Sequence, residues 1–411
     1  MKYVILHADG LADRPRQELG GKTPLQVAST PHLDRVVQDG ELGLLSFAND
    51  GGRHGSGLAG TAILGYEPKK YYQGPGPLEA SSLEVTVTEN DVVYRCTMVT
   101  LGTDSKVKGG SSDIKKLGPQ VIMEDATAGL ITTEEARELI DAANEQLGSE
   151  TIQFYPGSGH RHLMVWVNGK PRALCTDPQT LVGRQIADAL PSGDGADILR
   201  KLMEASLQIF RDHPVNDERR QADRKPANCL WLWGEGRAIS WPSLTERFQT
   251  SGVVVSSSDV HRGIGLNAGL TAVATERLAE ADLRTRAAVA LEELASNTFA
   301  YVHVELTDEV AYGSDFKAKI QGIEAIDRDM IGPFVEGLTK LGPHRLLIFC
   351  DHGSVQDGQV DKEHGLFVYR DTTARGTAGK GKRLTEVDVQ ALGASPKDAT
   401  KFVARLFTKG T

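Results

Sequence analysis

Three short apolar segments that each lead to an acidic residue most strongly limit how this chain of 411 residues can fold. Their continuous apolar character, without alternation, indicates strands that are covered on both faces, as in a parallel sheet. In α/β sheets of this kind, ligands bind outside the carboxyl ends of the strands, so the acids are expected to converge there. The segments and their acids are residues 3–6 with Asp9, residues 299–304 with Asp308, and residues 346–350 with Asp351.

Helical patterns lie between these segments and complete the prediction of an α/β fold. Residues 316–341 carry apolar side chains at the spacing of one helix face, and residues 194–212 are predicted to form another long helix. We therefore predict a mostly parallel sheet flanked by helices, formed by residues 1–72 and 186–411.

The middle of the chain, residues 73–185, has a different pattern and is predicted to be an inserted α+β domain. A helix is expected at residues 133–147, with Thr133 as its N-cap and the acidic Glu134 in its first turn. The β-rich segments around this helix are residues 84–88, 92–96 and 162–167.

Composition and charge exclude several classes of function. The formal net charge of −9 gives no support to a nucleic-acid binder, which presents clustered Lys and Arg. No apolar segment reaches the roughly 18 residues that a membrane span needs, and the N-terminal residues lack the pattern of a secretory signal, so we expect a cytoplasmic protein without a membrane partner. The four cysteines are far apart, which disfavours a disulfide framework or a zinc ribbon.

The acids at the strand ends are accompanied by histidines in a pattern that favours a metal site. Asp351 and His352 are adjacent after an apolar segment, and His364 follows twelve residues after His352. Together with Asp9 and Asp308, these residues form the mixture of carboxylates and imidazoles that binds Zn²⁺, Mn²⁺ and related ions. For each aspartate alone, a helix cap or a solvated loop is the alternative.

Ser56 lies between Gly55 and Gly57 in a segment that precedes an apolar stretch. A divalent ion lowers the pKa of a coordinated hydroxyl, so a serine beside the predicted metal site can become a nucleophile. The neighbouring glycines permit a tight turn and close approach of the backbone to an anion. The alternative is a flexible surface loop in which Ser56 has no chemical role.

Several motifs in the same order resemble those of the archaeal-type cofactor-independent phosphoglycerate mutases of the alkaline phosphatase superfamily, over nearly the whole chain. The motifs are HADGLADRPRQELGGKTPLQVASTPHLDRV, GS followed by AILGYEP, YYQGPGPLEA, DHPVNDERR, PANCLWLWGEGR and the C-terminal DHG. The resemblance implies a metal-binding phosphatase-like domain with an inserted substrate domain, and two divalent ions. It also implies a serine that takes a phosphoryl group from phosphoglycerate and returns it to another hydroxyl.

The resemblance assigns roles to individual residues of this chain. The residues that match one metal set and the nucleophile are Asp9, Ser56, Asp351 and His352. Asp308 and His364 match part of the second metal set. We expect one or two divalent ions, with Mn²⁺ as the first choice and Zn²⁺ or Mg²⁺ as alternatives.

This sequence departs from the family pattern at several positions near the predicted site. Gly57 and Gly60 stand where the family has an aspartate and a histidine, and Pro75 replaces an arginine. Tyr312 stands where the family has a metal-binding histidine, and a neutral phenol is a poor replacement ligand. The segment at residues 108–112 also lacks the family arginine.

Three arginines remain as candidates for holding an anionic substrate. Arg95 and Arg161 match arginines that the family retains, and Arg262 lies in a family loop that carries a basic residue. The alternative for Arg95 and Arg161 is a surface ion pair, and for Arg262 it is capping of the helix that follows.

We therefore predict an enzyme that transfers a phosphoryl or phosphonyl group on a small anionic hydroxy acid through Ser56, with a divalent metal. The departures from the family pattern favour a reaction or substrate that differs from that of the mutase. The alternatives are an authentic phosphoglycerate mutase, a phosphomonoester or phosphonate hydrolase, and a non-catalytic protein that binds the ligand.

Overall fold

The computed structural model describes residues 1–47, 56–103, 114–238, 240–306, 315–351, 364–374 and 379–408, with Ser56 described by its backbone alone. The chain forms two compact units. The first unit is made of Met1–Tyr72 and Ser240–Thr411, and the second is Gln73–Ile239. Among the described residues, no helix combines the length and apolar character needed to cross a bilayer.

The helices and strands follow one another along the chain in three segments. The first unit begins with β1 (Lys2–Asp9), α1 (Pro24–Val27), α2 (Pro31–Gln38), β2 (Glu41–Ser46), α3 (Ser56–Ile63) and α4 (Pro68–Tyr71). The second unit contains α5 (Pro75–Ser82), β3 (Val92–Thr103), β4 (Val121–Asp125), α6 (Thr133–Leu147), β5 (Ile152–Tyr155), β6 (Arg161–Trp166), β7 (Ala173–Leu174), β8 (Ser192–Gly193), α7 (Ala196–Arg211), α8 (Pro214–Gln221) and β9 (Cys229–Gly236). The first unit then continues with α9 (Leu244–Phe248), β10 (Gly252–Val255), α10 (Asp259–Asn267), β11 (Thr271–Ala272), α11 (Leu283–Ser296), β12 (Phe299–Glu305), α12 (Phe316–Ala325), α13 (Gly332–Lys340), β13 (His344–Phe349), β14 (Gly365–Asp371), α14 (Glu386–Gln390), β15 (Lys397–Asp398) and α15 (Phe402–Phe407). Short 3₁₀ turns are at Gln17–Leu19, Pro178–Leu181, Ala187–Ala189, Thr275–Arg277 and Ala399–Lys401.

An eight-stranded sheet organises the first unit, in the order β11-β10-β12-β1-β13-β14-β2-β15. The central strands are parallel, since β1 pairs in parallel with both β12 and β13, and β10 pairs in parallel with β12 and β11. Among the described strands of this sheet, only the pairs that β14 makes with β13 and β2 are antiparallel. The predicted α/β class with a mostly parallel sheet is therefore confirmed.

One face of this sheet holds the main apolar core of the first unit. Every second residue of β1, β12 and β13 contributes to it, and α11, α12 and α13 cover these residues. These residues are Val4, Leu6, Ala8, Ala300, Val302, Val304, Leu346, Ile348 and, directly after β13, Cys350. The helix predicted at residues 316–341 is continuous from α12 to α13, but its middle, Ile326–Ile331, has π-helical hydrogen bonding.

The second unit is built around the long strand β3, which pairs antiparallel with β4, β6 and β9. Helices α6 and α7 pack together, and α7 packs on β9. The sequence pattern predicts an insertion that ends at residue 185, whereas the second compact unit continues to residue 239, because β9 pairs with β3. The pairing of Cys229 with Val99 joins segments that are far apart in sequence.

Two local predictions in the second unit were wrong. Residues 84–88 do not form a strand, because α5 ends just before them and Glu84 has a left-handed backbone with φ of 56°. The predicted N-cap of α6 is displaced by one residue. Thr132, rather than Thr133, accepts a hydrogen bond from the backbone of Glu135 and forms a capping box with it.

Candidate active site

The second face of the large sheet carries a row of polar side chains at the carboxyl ends of its central strands. Parallel pairing puts His7 of β1 opposite His303 of β12, and Asp9 opposite Glu305. Because side chains alternate along a strand, Tyr301 lies on this same face as His303. Asp351 follows β13 at the same edge of the sheet. The row therefore occupies the place where α/β sheets bind their ligands.

The structure brings Asp9 and Asp351 together around buried imidazoles. Asp9 Oδ2 lies 3.8 Å from His303 Nε2, and Asp351 Oδ1 lies 3.4 Å from His7 Nε2. His7, Asp9 and Asp351 each offer one ligand atom, and these atoms are within 4.8 Å of one another. All are at least nine-tenths buried. The two aspartates converge in space, as the strand pattern predicted.

The donor atoms of this cluster fit a metal ion. Among the described residues, Nε2 of His7 and Nε2 of His303 make no hydrogen bond, although both are buried. Each faces a carboxylate oxygen within 4 Å. A divalent ion among these atoms would take the two nitrogens and the carboxylate oxygens as ligands. Carboxylate oxygen and imidazole nitrogen are also the usual ligands of Mn²⁺ and Zn²⁺.

Two residues of the predicted metal set, Asp308 and His352, lie outside the described residues, as does Tyr312, which stands where the family has a histidine. His364 is described and is exposed. It stands directly before β14, which is antiparallel to β13, and the backbone N–H of Cys350 donates to the carbonyl of Leu366. His364 therefore enters the sheet at the edge where Asp351 leaves it, and its role as a ligand stays a prediction.

Ser56 is the first residue of α3, and its side chain lies outside the described residues. The glycines of this helix pack closely on α10 and β12. A Cβ atom on Gly60 would lie 2.7 Å from Tyr301 Oη and 3.1 Å from His261 Nδ1, and one on Gly57 would lie 2.8 Å from Val260 Cγ1. Gly60 is one helical turn after Ser56 on the same face, so Ser56 begins the turn that leads onto the polar row.

Tyr301 holds two of the histidines in place. Its hydroxyl lies 2.7 Å from Nδ1 of His261 and 3.1 Å from Nδ1 of His7. Complete burial raises the pKa of Tyr301 well above its usual value, and the nearby charges of Asp351 and Asp9 raise it further, so the phenol stays neutral. A neutral phenol has one proton and can donate to only one of the two rings.

The third ring, His303, is held from another strand and stacks on His261. Its Nδ1 lies 3.1 Å from Ser256 Oγ. The ring centroids of His303 and His261 are 3.5 Å apart, with an interplanar angle of 14°. His7 meets both rings edge-on at 5.0 Å and stacks on Phe349 at 4.2 Å. The three imidazoles therefore form one compact group.

The predicted arginines lie in different surroundings. Arg262 is half-buried on α10, directly after His261. Arg95, in the second unit, donates from Nε and from its terminal nitrogen to both carboxylate oxygens of Glu79. It also lies over the ring of Trp233, 4.8 Å from the ring centroid. The charge of Arg95 is thus largely balanced within the second unit, and a role in substrate binding stays a prediction.

Arg161 is exposed at the first position of β6, also in the second unit. Its neighbour His162 points into the apolar core and accepts a hydrogen bond at Nδ1 from the backbone N–H of Gly157. Burial lowers the pKa of His162 to about 3, and the ring is therefore neutral near pH 7. His162 therefore has a structural role, and the substrate-binding role of Arg161 stays a prediction.

Four residues of the polar row were not identified from the sequence, namely His7, Tyr301, His261 and His303. A signal for three of them exists in the strands themselves. His7 and Asp9 are two residues apart, as are Tyr301 and His303, and polar residues at every second position indicate a face with its own chemistry. His261 gave no such signal, because only packing of α10 brings it to the row.

Strand-end carboxylates beside imidazoles, with a serine at a nearby helix start, are typical of metal-dependent phosphoryl-transfer enzymes. A sequence model of the family described as 2,3-bisphosphoglycerate-independent phosphoglycerate mutase matches residues 38–216. A Geobacter sulfurreducens protein named "Probable 2,3-bisphosphoglycerate-independent phosphoglycerate mutase" is 39% identical over 86% of both chains. A Methanothrix thermoacetophila 2,3-bisphosphoglycerate-independent phosphoglycerate mutase is 37% identical, again over 86% of both chains. The chain belongs to this family of enzymes.

Solved structures with low sequence identity share the fold. A Pyrococcus horikoshii protein is similar with a TM-score of 0.73 and 22% identity, covering 98% of this chain and 96% of its own. The cofactor-independent phosphoglycerate mutase from Thermoplasma acidophilum has a TM-score of 0.56 and 21% identity, with 99% of both chains covered. The two-unit architecture is thus shared across almost the whole length of these proteins.

Proposed function

We propose that this protein transfers a phosphoryl group on a small anionic hydroxy acid, with Ser56 as nucleophile and a divalent metal as cofactor. The observation that carries the proposal is the pair of buried acids, Asp9 and Asp351, that face imidazole nitrogens at the end of the sheet. The packing of Gly60 on Tyr301 supports the placement of Ser56 one helical turn away.

Different parts of the chain have different roles in the proposed reaction. Asp9 and Asp351 would hold the metal, together with His352, Asp308 and His364 as the resemblance implies. The bound metal would lower the pKa of the serine hydroxyl and act as a Lewis acid toward the phosphoryl group. The start of α3 adds the positive end of a helix dipole, which favours an anion near Ser56.

The transfer itself conserves atoms and charge. The Oγ–P bond to Ser56 forms as the P–O bond of the substrate ester breaks, and the proton of the serine hydroxyl is given up while the departing oxygen gains one. Return of the phosphoryl group to a second hydroxyl reverses these changes and gives a mutase. Transfer to water in this second step gives a hydrolase instead.

We further propose that the reaction or substrate differs from that of a phosphoglycerate mutase. Gly57 and Gly60 stand where the family has acidic and imidazole side chains, and the space beside Gly60 is filled by His261 and Tyr301. Beside Gly60 the chain therefore has the imidazole of His261, which belongs to α10, instead of an imidazole on α3, the helix that begins with Ser56. The polar groups around the phosphoryl group would thus be arranged differently, with Arg262, directly after His261 on α10, as a predicted cation.

An authentic phosphoglycerate mutase is the second candidate. It is favoured by the named relatives, which match this chain over 86% of its length at up to 39% identity. Interconversion of 3-phosphoglycerate and 2-phosphoglycerate by the Mn²⁺-loaded protein separates the two candidates. Turnover with phosphoglycerate supports the mutase, while turnover restricted to other phosphorylated hydroxy acids supports the altered reaction.

Substitution of the nucleophile tests both candidates together. In the variant Ser56→Ala, metal-dependent transfer from the active phosphorylated acid should fall by at least about 1,000-fold, because no oxygen remains to form the covalent intermediate. Mass spectrometry of the wild type quenched during turnover should find a phosphoryl group on Ser56. The matched control Ser296→Ala removes an exposed serine at the end of α11 and should keep full activity. Unchanged turnover in the Ser56 variant would disprove the proposal.

A further inference from the structure

We infer that Lys319 of α12 and Arg16 are positioning residues for the proposed metal site, because they fix the segment that follows Asp9. Lys319 Nζ donates to Asp13 Oδ2 at 3.1 Å and to the carbonyl oxygen of Ala12 at 3.3 Å. Arg16 donates from a terminal nitrogen to Asp13 Oδ1 at 2.8 Å. The three charged side chains of this cluster are no more than 5% exposed. The inference rests on the proposed role of Asp9 as a metal ligand.

The main chain of the same segment is held by Glu386, the first residue of α14. Its Oε1 accepts a hydrogen bond from the backbone N–H of Asp13 at 2.9 Å, and its Oε2 accepts one from the hydroxyl of Thr23 at 2.7 Å. The segment between β1 and α1 is therefore tied to α12 and α14 by side chains that are more than 300 residues away in sequence.

The two cations also hold the start of α12. Lys319 is in the first turn of this helix, and the guanidinium of Arg16 lies over the ring of Phe316, its first residue, 4.9 Å from the ring centroid. Asp308, another predicted ligand, precedes α12 by eight residues in the sequence. The cluster thus links the segment after Asp9 to the helix that follows a second predicted ligand.

A third strand end that carries a predicted ligand adjoins the cluster. Ala12 and Cys350 belong to the same apolar core, and Cys350 directly precedes Asp351. Burial, with smaller contributions from the charges of Asp351 and Glu386, raises the pKa of the Cys350 thiol to about 12. Glu386 therefore lies close to the end of β13, beside the place where Asp351 begins.

The chemistry of the cluster favours a positioning role over a purely stabilising one. Buried ion pairs often contribute no more to stability than apolar side chains of similar volume would. Hydrogen bonds from Lys319 and Glu386 to main-chain atoms of Ala12 and Asp13 are directional, however, and fix the backbone in one arrangement. A metal site needs this precision, because its ligands must be held to within roughly 0.5 Å.

The experiment is a titration of the metal-free full-length protein with Co²⁺, followed by visible absorption and by metal analysis after gel filtration. Lys319→Met removes a positive charge and keeps a side chain of similar length. Electrostatics alone would leave the binding of a cation unchanged or make it tighter, since like charges repel. Loss of positioning has the opposite sign, and we expect the affinity for Co²⁺ to be about tenfold weaker than in the wild type.

The matched control is Lys317→Met, which removes a positive charge from an exposed position of the same helix and should keep the affinity of the wild type. If Lys319→Met does not fold, as judged by circular dichroism of the metal-free protein, Arg16→Met gives a test with the same expected sign. A folded variant that binds Co²⁺ as tightly as the wild type, or more tightly, would overturn the inference alone, even if its unfolding temperature were lower. A wild type that binds no Co²⁺ would overturn the proposed metal site as well.

Discussion

The two faces of the large sheet are equally buried but differ in what they bury. On one face, the residues of β1, β12 and β13 are aliphatic and pack under α11, α12 and α13. On the other face, the same strands present His7, Asp9, Tyr301 and His303. The comparison shows that alternation along one strand puts residues that stabilise the fold on one face of the sheet and candidate active-site residues on the other. The apolar face gains free energy from burial, whereas the burial of charged groups on the polar face costs free energy, which a bound cation would offset.

Removal of a large side chain from the apolar face should have the largest effect on stability. Phe334 of α13 is completely buried in this core, and Phe334→Ala should lower the free energy of unfolding by about 3–5 kcal/mol through lost contacts and a cavity. Denaturant unfolding measures this change. The metal content of the folded protein should not change. Glu336→Ala, at an exposed position of the same helix, is the control and should alter stability by no more than about 0.5 kcal/mol.

A change on the polar face should strongly reduce activity and should not reduce stability. Asp351→Asn should reduce metal-dependent turnover by more than about 100-fold, because it removes a predicted metal ligand. In the metal-free protein, Asp351→Asn should raise the free energy of unfolding by about 1 kcal/mol, because it removes the repulsion between the buried carboxylates of Asp9 and Asp351, whose ligand atoms lie within 4.8 Å of each other. Turnover assays and denaturant unfolding with chelator measure the two effects. A variant that is both active and destabilised would contradict the comparison, and Asp141→Asn on the exposed side of α6 is the control.

The contact between α3 and the polar face can be tested with a single methyl group. Gly60→Ala would place a Cβ 2.7 Å from Tyr301 Oη and 3.0 Å from Ile264 Cδ1, so one of these groups must move. The expected cost is about 1–3 kcal/mol in the free energy of unfolding, with reduced turnover as the serine helix shifts. Gly118→Ala is the matched control, because a Cβ there meets nothing within 4 Å. Equal thermal stability of the two variants would show that α3 does not pack here as described.

The smallest expected effect comes from removing the hydroxyl that supports two rings. Tyr301→Phe keeps the aromatic volume but takes away the hydrogen bonds to His7 and His261. We expect a loss of about 1 kcal/mol in the free energy of unfolding and an approximately tenfold weaker affinity for Co²⁺. Isothermal titration with Co²⁺ measures the affinity. An affinity equal to that of the wild type would mean that the rings are oriented without Tyr301.

The sequence was sufficient where local patterns decide the structure. The apolar segments became β1, β12 and β13, and the acids Asp9 and Asp351 lie together because parallel strands share one edge. Pairing between distant segments was not predictable in this way. Because β9 pairs with β3, the second unit extends to residue 239. His7 lies opposite His303 because of the register between β1 and β12. His261 reaches the site through helix packing, which no periodicity in the sequence indicates.

The position of β1 between β12 and β13 determines when this strand can fold during synthesis. Both neighbours of β1 come late in the chain, since Tyr3 pairs with Phe299 and with Arg345. At a synthesis rate of about 5–20 residues per second, the first strand waits roughly 15–70 s for both partners to leave the ribosome. The second unit is complete well before then. The proposed metal site would thus be among the last parts of the molecule to form, because Asp351 follows β13 and meets Asp9 only after β13 has joined the sheet.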